Sequence, residues 1–118
     1  MQTDRAFSES SLGEACLVSQ NQEFYLTMQG DGNLVVYKSR QFVSSNAVWA
    51  SGTHGRGQRP FQLRMQGDGN AVIYDRNNNA TWATGTHGKG KGPYSLVLSN
   101  DGALGVFDGN HTQLWSSK

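Results

Sequence analysis

The sequence predicts an all-β fold with approximate threefold symmetry. Three observations lead there: a motif that recurs, apolar residues that alternate with a period of two beside it, and glycine turns at matching places. The motif Q-x-D-x-N-x-V-x-Y stands unbroken at Gln29–Tyr37 and Gln66–Tyr74, and an eroded copy runs from Ser99 to Phe107. The tryptophans that close the copies, Trp49, Trp82 and Trp115, are evenly spaced, whereas Gln29 to Gln66 is a longer step than Gln66 to Ser99. The difference lies in one loop: Tyr37 to Trp49 is longer than Tyr74 to Trp82 and Phe107 to Trp115, which match each other. Short repeats of this kind, all strand and turn, bury together a core that one repeat could not bury alone.

A chain of 118 residues has the size of one ordinary domain. The expected organisation is one domain over 1–118, with an N-terminal arm at 1–21 and repeats at roughly 22–54, 59–87 and 92–118. Hydrophobic residues make up 36%, and 15 glycines suit a chain of many tight turns. A formal net charge of +1 lacks the imbalance of a disordered chain and gives no footing for a polyanion binder, so no nucleic-acid partner is expected. Met1–Ser11 has no apolar stretch of the kind a secretory signal needs. No apolar run approaches the roughly 18 residues of a membrane span, so no membrane insertion is expected. Cys16 is the only cysteine and cannot form an internal disulfide; it is expected as a buried small hydrophobe.

In chain order, the segment 1–20 is polar, with apolar touches at Phe7, Leu12 and Cys16-Leu17-Val18, and reads as an arm with one or two short strands. Phe24, Leu26 and Met28 then alternate with polar or amphipathic neighbours, the mark of a half-buried strand. Gly30-Asp31-Gly32 turns the chain, and the return strand points Leu34 and Val36 inward and Asn33, Val35 and Tyr37 outward. The second copy repeats this with Phe61, Leu63 and Met65, a turn at Gly67-Asp68-Gly69, and Ala71 and Ile73 inward. The third has Tyr94, Leu96 and Leu98, a turn at Asn100-Asp101-Gly102, and Leu104 and Val106 inward. The tryptophans are expected at the centre of the assembly.

The copies differ on the outward face. Gln, Asp, Asn, Val and Tyr recur there in the first two, while the third has Ser99, Ala103, Gly105 and Phe107 and keeps only Asp101. A merely solvated face would not need the same five side chains twice. Gln29 and Asn33 each offer an acceptor and two donors, Asp31 accepts, Tyr37 does both, and Val35 adds a small apolar contact; Gln66, Asp68, Asn70, Tyr74 and Val72 repeat the set. Such a set suits a neutral polyol with a C–H surface, such as a sugar, and no cation in it favours a phosphate.

These residues resemble the hallmark of the bulb-type, monocot mannose-binding lectins, the snowdrop lectin family. The threefold repeat and the tryptophans followed by Ala-Ser/Thr-Gly-Thr match too, over about residues 11–118. The resemblance implies a β-prism II fold, three four-stranded antiparallel sheets about a pseudo-threefold axis, and α-D-mannose binding with no metal or other cofactor. It implies that Asp31 and Asn33 bind the 2-hydroxyl, Gln29 the 3-hydroxyl and Tyr37 the 4-hydroxyl, with Val35 on the ring carbons. Asp68, Asn70, Gln66, Tyr74 and Val72 take the same parts at the second site. Mannose-containing glycans or glycoproteins are the implied partners, with a homodimer or higher oligomer expected. The place of action is expected to be extracellular, in mucus or a secretion, with the cytoplasm as the alternative.

The chain departs from the plant pattern in three ways. A disulfide common in plant members would join the equivalents of Gly32 and Phe61, so it is absent here. The third site is degenerate. The sequence stops soon after Trp115, which puts in doubt the exchange of C-terminal strands seen in plant dimers. The missing signal and bridge make it look closer to the fish, animal or fungal members. Two other readings stay open: a protein-interaction module, cytoskeletal or cell-surface, on the same scaffold, and a lectin whose insertion at Lys38–Val48 selects another glycan.

Other motifs carry less. Gly85–Gly92 nearly matches a phosphate loop but ends in Gly92 where Ser or Thr is needed, and the similar Gly52–Gly57 marks it as a repeat connector. Arg56, Arg59, Lys89 and Lys91 read as solvated loop charge. His54, His87 and His111 lack a second ligand at metal-like spacing. Asn79-Ala80-Thr81 and Asn110-His111-Thr112 are glycosylation sequons that matter only in the secretory pathway. Each motif supplies one carboxylate where a glycosidase needs two, so no enzyme is expected.

Overall fold

The computed structural model describes residues 3–7, 10–12 and 15–118, with side chains for 3–7 and 17–118. The expected burial of Cys16 therefore lies outside the described side chains. Nine strands carry the repeats among the described residues. In the first repeat they are β4 (Tyr25–Met28), β5 (Leu34–Tyr37) and β6 (Ala47–Ala50); in the second, β7 (Gln62–Met65), β8 (Ala71–Tyr74) and β9 (Ala80–Ala83); in the third, β10 (Ser95–Leu98), β11 (Leu104–Phe107) and β12 (Gln113–Ser116). A 3-10 turn, Ser44–Asn46, sits in the long first loop.

The arm differs from expectation. It forms three short strands, β1 (Arg5–Phe7), β2 (Ser10–Leu12) and β3 (Ala15–Val18). Each joins a different sheet, giving the antiparallel orders β1-β10-β11-β12, β2-β7-β8-β9 and β3-β4-β5-β6. Segments this short and polar, such as Ser10-Ser11-Leu12, carry no readable alternation; their pairing is dictated by the edges of β7, β10 and β4.

The inward positions behave as the period of two requires. Leu34, Val36, Ala71, Ile73, Leu104 and Val106 are all 0% exposed and belong to one apolar cluster. The three tryptophans meet edge to face, with ring centroids 5.6–5.7 Å apart and planes 66–75° to one another. That is a favoured aromatic geometry.

The hairpin turns show which glycine matters. Gly32 N donates to the Gln29 carbonyl and Gln29 N to the Asn33 carbonyl. Of the two motif glycines only Gly32 has positive φ, +92°, and Gly69 and Gly102 match it at +94° and +86°. This is the hairpin loop whose last position is left-handed. A Cβ there would also strike the next repeat: at Gly32 it would lie 3.0 Å from the Phe61 ring, at Gly69 2.9 Å from the Tyr94 ring, and at Gly102 2.7 Å from the Phe24 ring. The positions expected to carry a disulfide in plant relatives are thus adjacent in space, filled here by glycine and an aromatic ring.

Where the first loop has its insertion, the other two are closed by an aspartate. Asp75 Oδ1 accepts from Asn77 N and Asn79 N at 2.9 Å each, and Asp108 Oδ1 from Asn110 N at 2.9 Å and Thr112 N at 2.8 Å. The backbone hydrogen bonds from Asn79, Gln58 and Asn77 hold the Asp75 carboxyl below the ordinary carboxylate value despite its burial. The stability this gives is complete above the unfolded value of about 3.9 and is lost as pH falls through the lowered folded value. Asp75→Asn is therefore expected to shrink the acid-side fall of the denaturation midpoint measured below about pH 4. Gly102→Ala, in the third repeat and outside both intact motifs, is expected to cost about 2–4 kcal/mol in urea unfolding, from left-handed strain plus overpacking on Phe24.

Candidate functional site

In each intact motif the polar side chains gather around the hairpin turn in one hydrogen-bonded cluster. The turn presents Asp31 and Asp68, with Gln29, Asn33, Gln66 and Asn70 flanking it, the return strands β5 and β8 carry the valine and tyrosine, and the loop after the tryptophan closes one end. The strand pairing shifts between Val36 and Tyr37, with Tyr37 opposite Ala47, and likewise between Ile73 and Tyr74 and between Val106 and Phe107. Such bulges bend a strand and re-aim its side chains. Here they fall at the motif tyrosine.

At the first site Asn33 Oδ1 accepts from Ser51 Oγ at 3.1 Å, Gly52 N at 3.0 Å and Thr53 N at 3.2 Å. Three donors on one amide oxygen fix the orientation of the side chain and leave Nδ2 to face outward. Asp31 Oδ1 accepts from Asn33 N at 2.9 Å, and Gln29 Nε2 donates to both Asp31 oxygens at 3.1 Å. Tyr37 donates its hydroxyl to Gln29 Oε1. Burial, with the Asp31 carboxylate adding to it, pushes the Tyr37 phenol above its ordinary value, so it stays a neutral hydroxyl. His54 Nε2 lies 3.8 Å from Asp31 Oδ2.

The second site repeats this frame. Asn70 Oδ1 accepts from Thr84 Oγ1, Gly85 N and Thr86 N at 3.2, 2.9 and 3.2 Å, and Asp68 Oδ1 accepts from Asn70 N at 2.9 Å. Gln66 meets Tyr74 through its amide nitrogen, leaving the Tyr74 proton available to a ligand. Val35 and Val72 are only 3% exposed, so the apolar floor is narrower than their outward position suggests.

Sequence reasoning missed the residues behind the asparagines. Thr53 Oγ1 donates to the Gly32 carbonyl at 2.7 Å, and Thr86 Oγ1 to that of Gly69 at 2.7 Å. The proton of Ser51 is then shared between Thr53 Oγ1 at 2.7 Å and Asn33 Oδ1 at 3.1 Å. The signal was present in the repeated Ser/Thr-Gly-Thr after each of the first two tryptophans.

The third site is filled as well as eroded. A Cβ on Gly105 would lie 2.9 Å from Gln113 Nε2 and 3.0 Å from the Phe107 ring, so those groups take the space of the valine floor. Ala103 cannot replace the asparagine, and Lys118 Nζ donates to the Asp101 carbonyl at 2.5 Å. The stretch likened to a phosphate loop leads into strand β10, and its Gly88 N donates to the Asp68 carbonyl at 2.8 Å as Gly55 N does to that of Asp31. It is a repeat connector.

Three sheets closed about a tryptophan axis, two of them carrying the same cluster of hydrogen-bonding side chains, define a lectin of β-prism II type. The chain is similar to monomeric monocot mannose-binding lectins from Gastrodia elata, 36% identical over 98% of this chain and 96% of that one, with a TM-score of 0.82. The mannose-specific snowdrop (Galanthus nivalis) agglutinin, solved with methyl α-D-mannoside, is 31% identical over 92% and 98%, with a TM-score of 0.76. A Marasmius oreades lectin is 27% identical over 98% and 91%, with a TM-score of 0.82. No family model and no curated protein matches the chain. The chain belongs to the monocot mannose-binding lectin family.

Thr86→Val should leave the Gly69 carbonyl without its buried donor. The expected loss is about 1–3 kcal/mol in urea unfolding.

Proposed function

We propose that this protein is a non-enzymatic lectin that binds α-D-mannose and mannose-rich glycans without a metal, at the Gln29–Tyr37 and Gln66–Tyr74 motifs. The carrying observation is the paired state of Asn33 and Asn70: with Oδ1 consumed by the loop, each offers Nδ2 beside an aspartate that only accepts. A sugar hydroxyl both donates and accepts, so it satisfies the two together. The 2-hydroxyl takes this place in the proposed pose, with the 3-hydroxyl at Gln29 or Gln66 and the 4-hydroxyl at Tyr37 or Tyr74. The ring carbons rest on the exposed edge of Val35 or Val72.

A few hydrogen bonds at about 0.5–1.5 kcal/mol each give a monosaccharide affinity near the millimolar range. Useful retention then comes from two sites on one chain, or from copies of the chain, engaging a branched glycan. An extracellular place of action, on glycan-coated surfaces, belongs to the same proposal.

The test is a mannose column run in EDTA and eluted with methyl α-mannoside. The wild type is expected to be retained and eluted by sugar, and folded Asn33→Ala/Asn70→Ala to flow through. Loss of each asparagine donor should cost its site about 1–3 kcal/mol of binding by calorimetry. Flow-through of folded wild type would overturn the mannose reading and turn attention to a protein partner.

A further inference from the structure

The two intact pockets are not equivalent, because only the first carries the insertion. There the chain between Tyr37 and Trp49 folds back over the sheet: Lys38 N donates to the Asn46 carbonyl at 2.9 Å, and Asn46 Nδ2 to that of Gln41 at 2.9 Å. Arg40 Nε donates to the Tyr25 hydroxyl at 2.9 Å, tying the loop to β4. These bonds hold Phe42 against the site. Its ring stacks on Tyr37 at 5.0 Å with an interplanar angle of 24°, and tilts against Tyr25 at 6.1 Å. Phe42 nevertheless remains 49% exposed. At the second site the matching ring, Tyr74, has the Arg64 guanidinium over it at 4.9 Å.

Phe42 thus offers a free aromatic face directly beside a motif residue, held in place by its own loop. We propose that Phe42 extends the first site: it is an apolar platform for a pyranose joined to the bound mannose on the Tyr37 side. This rests on the mannose reading of the first motif. In that pose the 4-hydroxyl donates to Tyr37, whose own proton goes to Gln29, so the added sugar is attached through the neighbouring 6-hydroxyl. The anomeric carbon stands across the ring from C4 and points away. The C–H face of the added pyranose packs on Phe42, and the loop is already ordered, so little entropy is lost when it binds. The first site therefore selects extended or branched mannosides, and the second does not discriminate in this way.

The experiment is calorimetry on two single-site proteins, Asn70→Ala for the first site and Asn33→Ala for the second. The probes are methyl α-mannoside and the same mannoside carrying a glucosyl group on O6. A glucosyl group is used because its equatorial 2-hydroxyl does not match the Asp31–Asn33 pair, so only the mannose fills the pocket. The first site is expected to prefer the extended probe by roughly three- to tenfold. The second site should show a ratio of about one. Adding Phe42→Ala to the first-site protein should bring its ratio to about one, and Phe42→Tyr should keep the preference. Equal binding of all probes at the first site, or a preference that survives Phe42→Ala, would overturn the platform and leave the mannose reading intact. Failure of the first-site protein to bind any probe would overturn both.

Discussion

Closure of three sheets around Trp49, Trp82 and Trp115 is the constraint on which everything else depends. Each sheet is four short strands with one apolar face, which must be buried against the other two. The tryptophans, partly buried against the apolar cluster, meet edge to face, a contact possible only when all three repeats are in place. The turn glycines give a second set of cyclic contacts, since each receives the aromatic ring of the next repeat. The N-terminal strands add an edge to all three sheets in turn, so the arm, ending at Val18, ties the repeats together.

The pockets follow from the same geometry. To direct its tryptophan to the axis, the last strand of each repeat bulges against its neighbour, and the bulge falls at the motif tyrosine. The chain leaving the tryptophan then passes over the hairpin turn, where its backbone N–H groups meet the asparagine oxygen. The buried Thr53 and Thr86 hydroxyls lock this passage to the turn carbonyls. One arrangement of backbone thus closes the prism and fixes the orientation of the asparagine amide.

Much of this was legible in the sequence. The inward residues obey a period of two, and Leu34, Val36, Ala71 and Ile73 are buried as it requires. The pocket residues stood out because the chain repeats them. Three things were not legible. The arm strands have no pattern of their own, since the sheet edges decide where they pair. The outward Val35 and Val72 are buried because neighbouring strands and loops cover them, which alternation cannot show. Phe42 occurs once, so comparing repeats gives it no weight, and its stacking on Tyr37 depends on a loop path fixed by Asn46 and Arg40.

The third repeat shows why sites of this kind can be gained and lost without harm to the fold. Leu104 and Val106 remain fully buried although Ala103, Gly105 and Phe107 stand where the other copies have asparagine, valine and tyrosine. The inward face carries the closure that holds the prism together, so the outward side chains of the third repeat could change while the core stayed buried. With glycine in the valine's position, the Phe107 ring and the Gln113 amide occupy the space. Restoring the pocket would then require a new floor as well as new polar groups. By the same logic, an insertion in the first loop can add an aromatic wall to one pocket while the inward face stays unchanged. A threefold scaffold can therefore carry three outer faces with different fates: one extended, one plain and one closed.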